Sequence, residues 1–273
     1  MSNVIVIGGG AAGMMAAYAA ALCGHQVKLM EQNEKLGKKI FITGKGRCNI
    51  TNAGDMDNLF ANVMSNPKFL YSAFYTFNNE QMMSLLEEYG LKMKVERGNR
   101  VFPVSDHSSD VIATLRKALE DKNVEVFLHT KVDHLLVTEE QIKGVELSDG
   151  REVSADAVIV ATGGFSYQTT GATGDGYRFA EKTGHKLVQR TPALVPFEIK
   201  EAWVKELQGL SLRNVSVSIY NGKKKLYEDF GEMLFTHFGV SGPLILSASG
   251  MIKAKQFENE LELYIDLKPA LTV

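Results

Sequence analysis

The chain has 273 residues, 45% of them hydrophobic and 23% charged, with a formal net charge of −2, which is enough material for one large or two ordinary domains with buried cores. So balanced a charge excludes a bulk electrostatic case for nucleic acid or acidic membrane as the main partner, leaving only a local one. Two cysteines, Cys23 and Cys48, beside eleven methionines exclude a disulfide framework and point to a reducing, cytoplasmic setting.

The opening stretch, MSNVIVIGGGAAGMMAAYAAALCGH, is apolar, but it lacks the cationic leader of a signal peptide and its first apolar run breaks at three glycines. It reads as strand, turn and helix. Val4 to Ile7 is a run of β-branched residues, the pattern of a parallel strand buried on both faces. Gly8, Gly10 and Gly13 follow, then Met14 to Cys23, rich in Ala, Met and Leu, predicts a helix ending at Gly24. Val27 to Met30 is a second strand that closes on Glu31, completing a βαβ unit.

Beyond the polar loop TGKGRCNITN (Thr43 to Asn52), helical periodicity marks Pro67 to Phe77 and Glu80 to Tyr89, with Gly90 as the cap of the second. A β-segment, Lys92 to Val101, leads to an amphipathic helix capped by Ser108 or Ser109 and running to about Asp121. Next come a strand in VEVFLHTKV, a hairpin around a Ser-Asp-Gly turn, and a last buried strand at Ala157 to Ala161. This is an antiparallel meander inserted into a parallel sheet. From about Pro192 the βαβ rhythm gives way to period-2 alternation around an Asn-Gly turn at Asn221 and Gly222, ending in a strand at Glu262 to Leu267. The fold expected is α/β: a Rossmann domain over residues 1–190, then a mainly β domain over 191–273.

The glycines form a G-x-G-x-x-G placed between strand and helix. The first permits the tight turn, the second lets backbone approach a pyrophosphate, and the third lets the helix pack on the strand. Glu31, eighteen residues past Gly13, is placed to accept hydrogen bonds from ribose hydroxyls, and its charge argues against a 2′-phosphate. The fingerprint serves FAD and NAD alike. The long loop expected after Glu31, and the glycines that close the VIVATGG strand, suit an extended flavin dinucleotide held by several segments.

The chain resembles the two-dinucleotide-binding-domain flavoproteins, and within them the YhiN/BaiN-like, aminoacetone-oxidase-like family. The resemblance spans all 273 residues and rests on the fingerprint with Glu31, on LGKKIFITGKGRCNITN, RVFPVSDHSSDV, ATGGFSYQTTGATGDGY, PALVPF and GEMLFTHFGVSGP. It implies an FAD-type Rossmann fold with FAD contacts at Gly8, Gly10, Ala11, Ala12, Gly13, Glu31, Gln32 and Lys39. Further contacts are implied at Gly44, Gly46, Arg47, Cys48 and Asn49, at the Val132 backbone, and at Ala161, Thr162, Gly163 and Gly164. Members of that family continue well past this point and return to the Rossmann domain with a Gly-rich segment, whereas the sequence stops after LKPALTV. The expectation is a truncated β domain with an unpaired edge, and weak or absent FAD binding by these residues alone.

TGKGRCNITN has three readings: phosphate or flavin cradle, thiol site, or nucleic-acid patch. Gly44 and Gly46 allow close approach of backbone, while Lys45 and Arg47 add positive charge beside a diphosphate or reduced flavin. Flavin contact leads. Cys48 is a candidate reactive thiol if a cation lowers its pKa, with Cys23 read as buried in the Ala-rich helix. A patch of Lys35, Lys38, Lys39, Lys45 and Arg47 lacks the interleaved aromatics of a nucleic-acid surface. Thr173 or Asp175 caps a helix running to about Lys182, and the amides of that block face either cofactor or an anionic substrate group.

His237, before a Gly-rich turn, is the acid–base candidate, because imidazole as a residue type titrates near neutrality. His107 and His185 are weaker. No His/Cys/carboxylate cluster has metal spacing, and the G-x-S-x-G elbow is missing. The function expected is an FAD-dependent oxidoreductase linked to NAD(P)H or oxygen, acting on a small molecule. For its substrate, the resemblance implies either reductive steps of bile-acid dehydroxylation or oxidation of a small amine. No nucleic-acid or membrane partner is expected. The rivals are a flavin-binding redox sensor or assembly protein without turnover, and a tRNA-modifying flavoprotein.

Overall fold

The computed structural model describes residues 1–252 and 260–271. The chain divides into two units, Met1–Leu187 and Val188–Val273.

In the first unit, β1 (Asn3–Ile7) is buried on both sides because successive side chains point to opposite faces. Val4 and Val6 pack toward α1 (Ala11–Leu22), while Ile5 and Ile7 face the other way. Fully burying each such side chain is worth about 1.5–3 kcal/mol. β2 (Gln26–Met30) lies parallel to β1, with Val4 beside Val27 and Val6 beside Leu29. Cys23, at the end of α1, is exposed rather than buried. A helix apolar all round gives no periodicity from which its solvent side could be read.

After β2 come α2 (Lys38–Ile42), the short β3 (Thr51–Asn52) and α3 (Met56–Ala61). The predicted helix at 67–77 is a 3₁₀ turn, Pro67–Leu70, followed by a short α4 (Tyr71–Thr76). α5 (Asn79–Glu88) starts at a capping box in which Asn78 and Gln81 bond each other's backbone N–H. The predicted β-segment at 92–101 is a hairpin of β4 (Met93–Glu96) and β5 (Arg100–Pro103), with β3 paired to β5. α6 (Ser108–Asp121) buries Val111, Thr114, Leu115, Ala118 and Leu119, the i, i+3, i+4 stripe of an amphipathic helix. Its N-cap is His107, not a serine; Ser108 Oγ instead donates to the Phe41 carbonyl at 2.8 Å.

β6 (Glu125–Phe127) joins the parallel sheet beside β2. Then β7 (Val132–Thr138), β8 (Gln141–Leu147) and β9 (Glu152–Ser154) form the antiparallel meander as a sheet of its own. β10 (Ala157–Val160) returns to the parallel sheet, whose order is β10-β1-β2-β6. β10 is therefore an edge strand, half-buried rather than buried on both faces. α7 (Asp175–Lys182) follows, with Gly174 at φ +87 in its N-cap position and no side-chain cap; Thr173 donates to Asp175 instead of capping. Three layers result. Ile5, Ile7 and Met30 of the parallel sheet pack on Val132, Val145, Leu147 and Phe179, opposite the layer of α1 and α6.

The second unit is a five-stranded antiparallel sheet of order β11-β14-β13-β12-β15. Its members are β11 (Phe197–Glu198), β12 (Ser211–Asn221), β13 (Lys224–Phe235), β14 (Gly239–Ser241) and β15 (Glu262–Asp266). α8 (Pro243–Met251) packs on it, and Val217, Ile219, Met233 and Ile245 form the centre of its core. The hairpin turn lies one residue later than predicted: Asn221 pairs with Lys224, leaving Gly222 and Lys223 as the loop, with Gly222 at φ +57. Among the described residues no helix is long and apolar enough to cross a membrane.

Candidate functional site

At the carboxyl ends of β1, β2 and β10 the first unit encloses a cavity of about 630 Å³, within the range of small-molecule and cofactor clefts. The Gly-rich turn forms its floor. Gly8 sits at φ +104, and a Cβ there would lie 2.6 Å from the Ala161 carbonyl oxygen. The turn is tied to its neighbours, with Gly8 N–H donating to Met30 O at 2.8 Å and Gly37 N–H to Gly9 O at 2.9 Å. A Cβ on Gly13 would lie only 1.7 Å from the Gly8 oxygen, so α1 crosses β1 at the distance glycine alone permits. Gly10 differs. A Cβ there would meet nothing within 4 Å, and Gly10, Ala11 and Ala12 all line the cavity.

Gly10 is also the N-cap of α1 and supplies no side-chain acceptor. The first-turn N–H groups of α1 have no intrahelical partners, and they carry the positive end of the helix dipole.

Glu31 is 7% exposed. Its Oε2 accepts from Gly9 N–H at 2.7 Å, and its Oε1 accepts from Asn33 N–H at 2.8 Å and from Asn33 Nδ2 at 2.6 Å. A carboxylate offers about four lone-pair sites, so most of this one already organises the turn. Asn33 escaped the sequence reading, although an Asn two residues beyond a strand-end acid is a turn signal. It reaches on to the Thr170 carbonyl at 3.2 Å, while Gln32 Nε2 donates to Gly171 O at 2.8 Å. These bonds bring Thr170 and Gly171 into the wall, with Asp175 beside them. Burial pushes the Asp175 carboxyl up, but hydrogen bonds from Thr173 and Arg178 outweigh it and hold the group below its ordinary value.

Lys39 lines the cavity and forms no ion pair among the described residues, whereas Lys38 is 3.3 Å from Glu34. Val132, Ala161, Thr162 and Gly163 line the wall and Gly164 does not. The Thr162 hydroxyl is buried without a hydrogen-bond partner. A partnerless buried hydroxyl, an uncapped helix start over open space and an unpaired amine together fit an anionic, hydroxyl-bearing cofactor such as FAD.

The TGKGRCN loop divides. Thr43, Cys48 and Asn49 line the cavity, while Gly44, Gly46 and Arg47 do not. Arg47, read from sequence as a cation beside the cofactor, is occupied by Asp106, 2.6 Å from Nη2, and by Glu96. These carboxylates, brought by the β4–β5 hairpin and the turn after it, already neutralise it.

Cys48 is 6% exposed. Burial pushes its thiol up, and a hydrogen bond with Thr43 only partly opposes that, so the low-pKa thiolate considered from sequence is not formed. The unfolded chain therefore loses this proton first. The thiol's contribution to stability is complete below about pH 8.5, the ordinary thiol value, and is lost as pH rises through the higher folded value. In a Cys23→Ser background, Cys48→Ala is expected to flatten the alkaline fall of the urea midpoint between pH 7 and 10. An unaltered fall would contradict this.

His237 belongs to the second unit, where it is exposed and lies edge-on to Phe238 at 4.8 Å between ring centres. His107 and His185 are exposed.

Residues 2–259 match the family described as HI0933-like protein Rossmann domain. The chain is 32% identical over 275 residues to the 3-dehydro-bile acid delta(4,6)-reductase of Clostridium scindens, over 99% of this chain and 66% of that protein. It is 30% identical over 253 residues to the ribosomal RNA dihydrouridine synthase of Haemophilus influenzae, over 91% of this chain and 61% of that protein. The chain thus spans less than two thirds of the length of these relatives. Its fold is shared with 3-ketosteroid delta1-dehydrogenase from Sterolibacterium denitrificans, at a TM-score of 0.55 and 16% identity over 78% of this chain and 62% of that one. With its uncapped glycine turn, its strand-end glutamate and its meander-covered parallel sheet, the chain belongs to the HI0933-like family, a family of FAD-dependent oxidoreductases.

Proposed function

We propose that the cavity of the first unit holds FAD and that the protein saturates a carbon–carbon double bond conjugated to a carbonyl, with NADH or NADPH as reductant. The observation that carries this is the convergence, on one cavity, of the open Gly10 floor, the uncapped start of α1, Glu31, Lys39 and the partnerless Thr162 hydroxyl. The names of the two relatives point the same way, since a delta(4,6)-reductase and a dihydrouridine synthase both saturate an alkene conjugated to a carbonyl.

When bound, FAD supplies hydride chemistry at its ring N5. The amides of α1 and the Lys39 amine hold a diphosphate, while Glu31 keeps the turn in the shape that presents those amides. The remaining acceptor capacity of Glu31 and the Thr162 hydroxyl suit sugar hydroxyls. Saturating the alkene takes a hydride at the carbon β to the carbonyl and a proton at the α carbon. The buried Cys48 thiol keeps its proton and is a wall group, not a nucleophile. Both thiols are free, which supports a cytoplasmic location.

The test is titration of the purified chain with FAD, followed by flavin fluorescence. Weak but saturable quenching that ADP competes away is expected of these residues alone, then bleaching by NADH or NADPH and recovery with a conjugated enone. A folded chain that binds neither FAD nor ADP saturably would remove the reading. The dihydrouridine synthase relative supports a second substrate class, a uracil base in RNA. Recovery with an RNA oligonucleotide and not with an enone would select it.

A further inference from the structure

The Thr43–Asn49 loop holds an uncommon conformation. Lys45 (φ +58) and Cys48 (φ +59) are left-handed without being glycine, beside Gly44 (φ +58) and Gly46 (φ +84). Side-chain-bearing residues persist there only where their surroundings over-determine them. The strongest constraint is Arg47. Its Nε and Nη2 donate to Asp106 Oδ1 at 2.8 and 2.6 Å, and its Nη1 donates to Glu96 Oε2 at 3.3 Å. The guanidinium also lies 4.2 Å from the centre of the Phe102 ring. Lys94 closes the group into an alternating quartet, 2.7 Å from Asp106 and 3.6 Å from Glu96.

All these partners come from β4, β5 and the turn that follows, 49 to 59 residues along the chain from Arg47 for the two carboxylates. The next residue in sequence, Cys48, is buried in the cavity wall, and Asn49 beside it is exposed and also lines the cavity. Arg47 is thus gripped outside the cavity while the residues that follow it, Cys48 and Asn49, line the inside.

We infer that Arg47 is a positioning residue: the Arg47–Glu96–Asp106–Lys94 quartet fixes the 43–49 loop so that Cys48 and Asn49 complete the cavity wall, and the planar guanidinium fork is what performs this. A lysine has neither the fork nor the stacking face. Its consequence for cofactor retention rests on the FAD reading above; the loop assignment itself does not.

The experiment uses the full 273-residue chain carrying Cys23→Ser, which leaves Cys48 as the sole thiol. Alkylation of Cys48 by N-ethylmaleimide is timed for this parent, for Arg47→Met, for Arg47→Lys, and for Glu96→Gln combined with Asp106→Asn. Far-UV circular dichroism checks the fold of each. Labelling is expected to accelerate by about tenfold or more in Arg47→Met and in the double variant, because the loop opens locally, with Arg47→Lys recovering less than half of the protection. Apparent FAD affinity is expected to fall by a similar factor.

Folded Arg47→Met and double variants that label within twofold of the parent would overturn the assignment. Full protection in Arg47→Lys would overturn the role of the fork. If Arg47→Met does not fold, the lysine and double variants carry the test. Accelerated labelling in chains that do not bind FAD, the parent included, would support the loop assignment and overturn the cofactor reading instead.

Discussion

Gly10→Val is expected to abolish detectable FAD binding while leaving the first unit folded. Gly10 has φ −82 and ψ −171, an extended conformation that a β-branched residue adopts without strain. A Cβ at this position meets no atom within 4 Å. The cost to the fold is that of a poorer N-cap, about 1 kcal/mol, or about 2–4 °C in a unit of this size. The added methyl groups occupy the space through which an anion reaches the amides at the start of α1. An affinity loss of more than about 100-fold, roughly 2.7 kcal/mol, is expected, with Gly10→Ala intermediate. Fluorescence titration beside a thermal melt checks both halves. Parental affinity in Gly10→Val would mean that the diphosphate does not sit at the helix start.

Gly13→Ala is expected to do the reverse, damaging the fold first. Its Cβ would lie 1.7 Å from the Gly8 carbonyl oxygen and 3.4 Å from the Ala161 Cβ. The nearest obstacle is backbone, so no side chain can swing away. Alanine gains about 1 kcal/mol over glycine within a helix, but overpacking costs about 1–3 kcal/mol even where the neighbours are side chains. Here α1 has to lift off β1, opening the core around Met14 and Ala17. A net loss of about 3 kcal/mol, or about 6–12 °C in melting temperature, is expected. A Gly13→Ala melt equal to the parent's would show that the helix and strand are not held this closely.

The two glycines are three residues apart in one motif, and the open space at Gly10 and the close helix–strand packing at Gly13 agree with the sequence pattern. The spacing between strand and helix assigns one to ligand approach and the other to packing. The βαβ unit, the amphipathic α6 and the meander were legible for a similar reason, since each is written in local periodicity. Cys23 was misplaced because an Ala-rich helix has no polar face to announce its exposed side. The caps of α6 and α7 were misplaced by a residue because His107 and Gly174 hold those positions through backbone conformation, with no side-chain bond. β10 reads as buried because its residues are apolar, and nothing in AVIV says which strand is last in a sheet.

The TGKGRCN loop marks the limit most clearly. Its glycines and cations identified a place where backbone and charge matter, and Cys48 and Asn49 do line the cavity. Yet the charge of Arg47 is spent on Glu96 and Asp106, and Lys39 is the cation left without an ion pair among the described residues that line the cavity. Where left-handed residues interrupt the backbone on both sides of Arg47, neither the 3.6 nor the 2.0 period operates, so sidedness cannot be counted off along the chain.

By itself the sequence determined most of the elements, the glycine turn between β1 and α1 and the acidic residue at the end of β2, because turn geometry and side-chain alternation act over a few residues. Only the tertiary structure decided which cations are neutralised, that Glu31 organises its own turn through Gly9 and Asn33, and which face of the 43–49 loop meets the cavity. Those outcomes depend on charges and carbonyls delivered from distant segments, and pairing across that separation follows from how the layers pack.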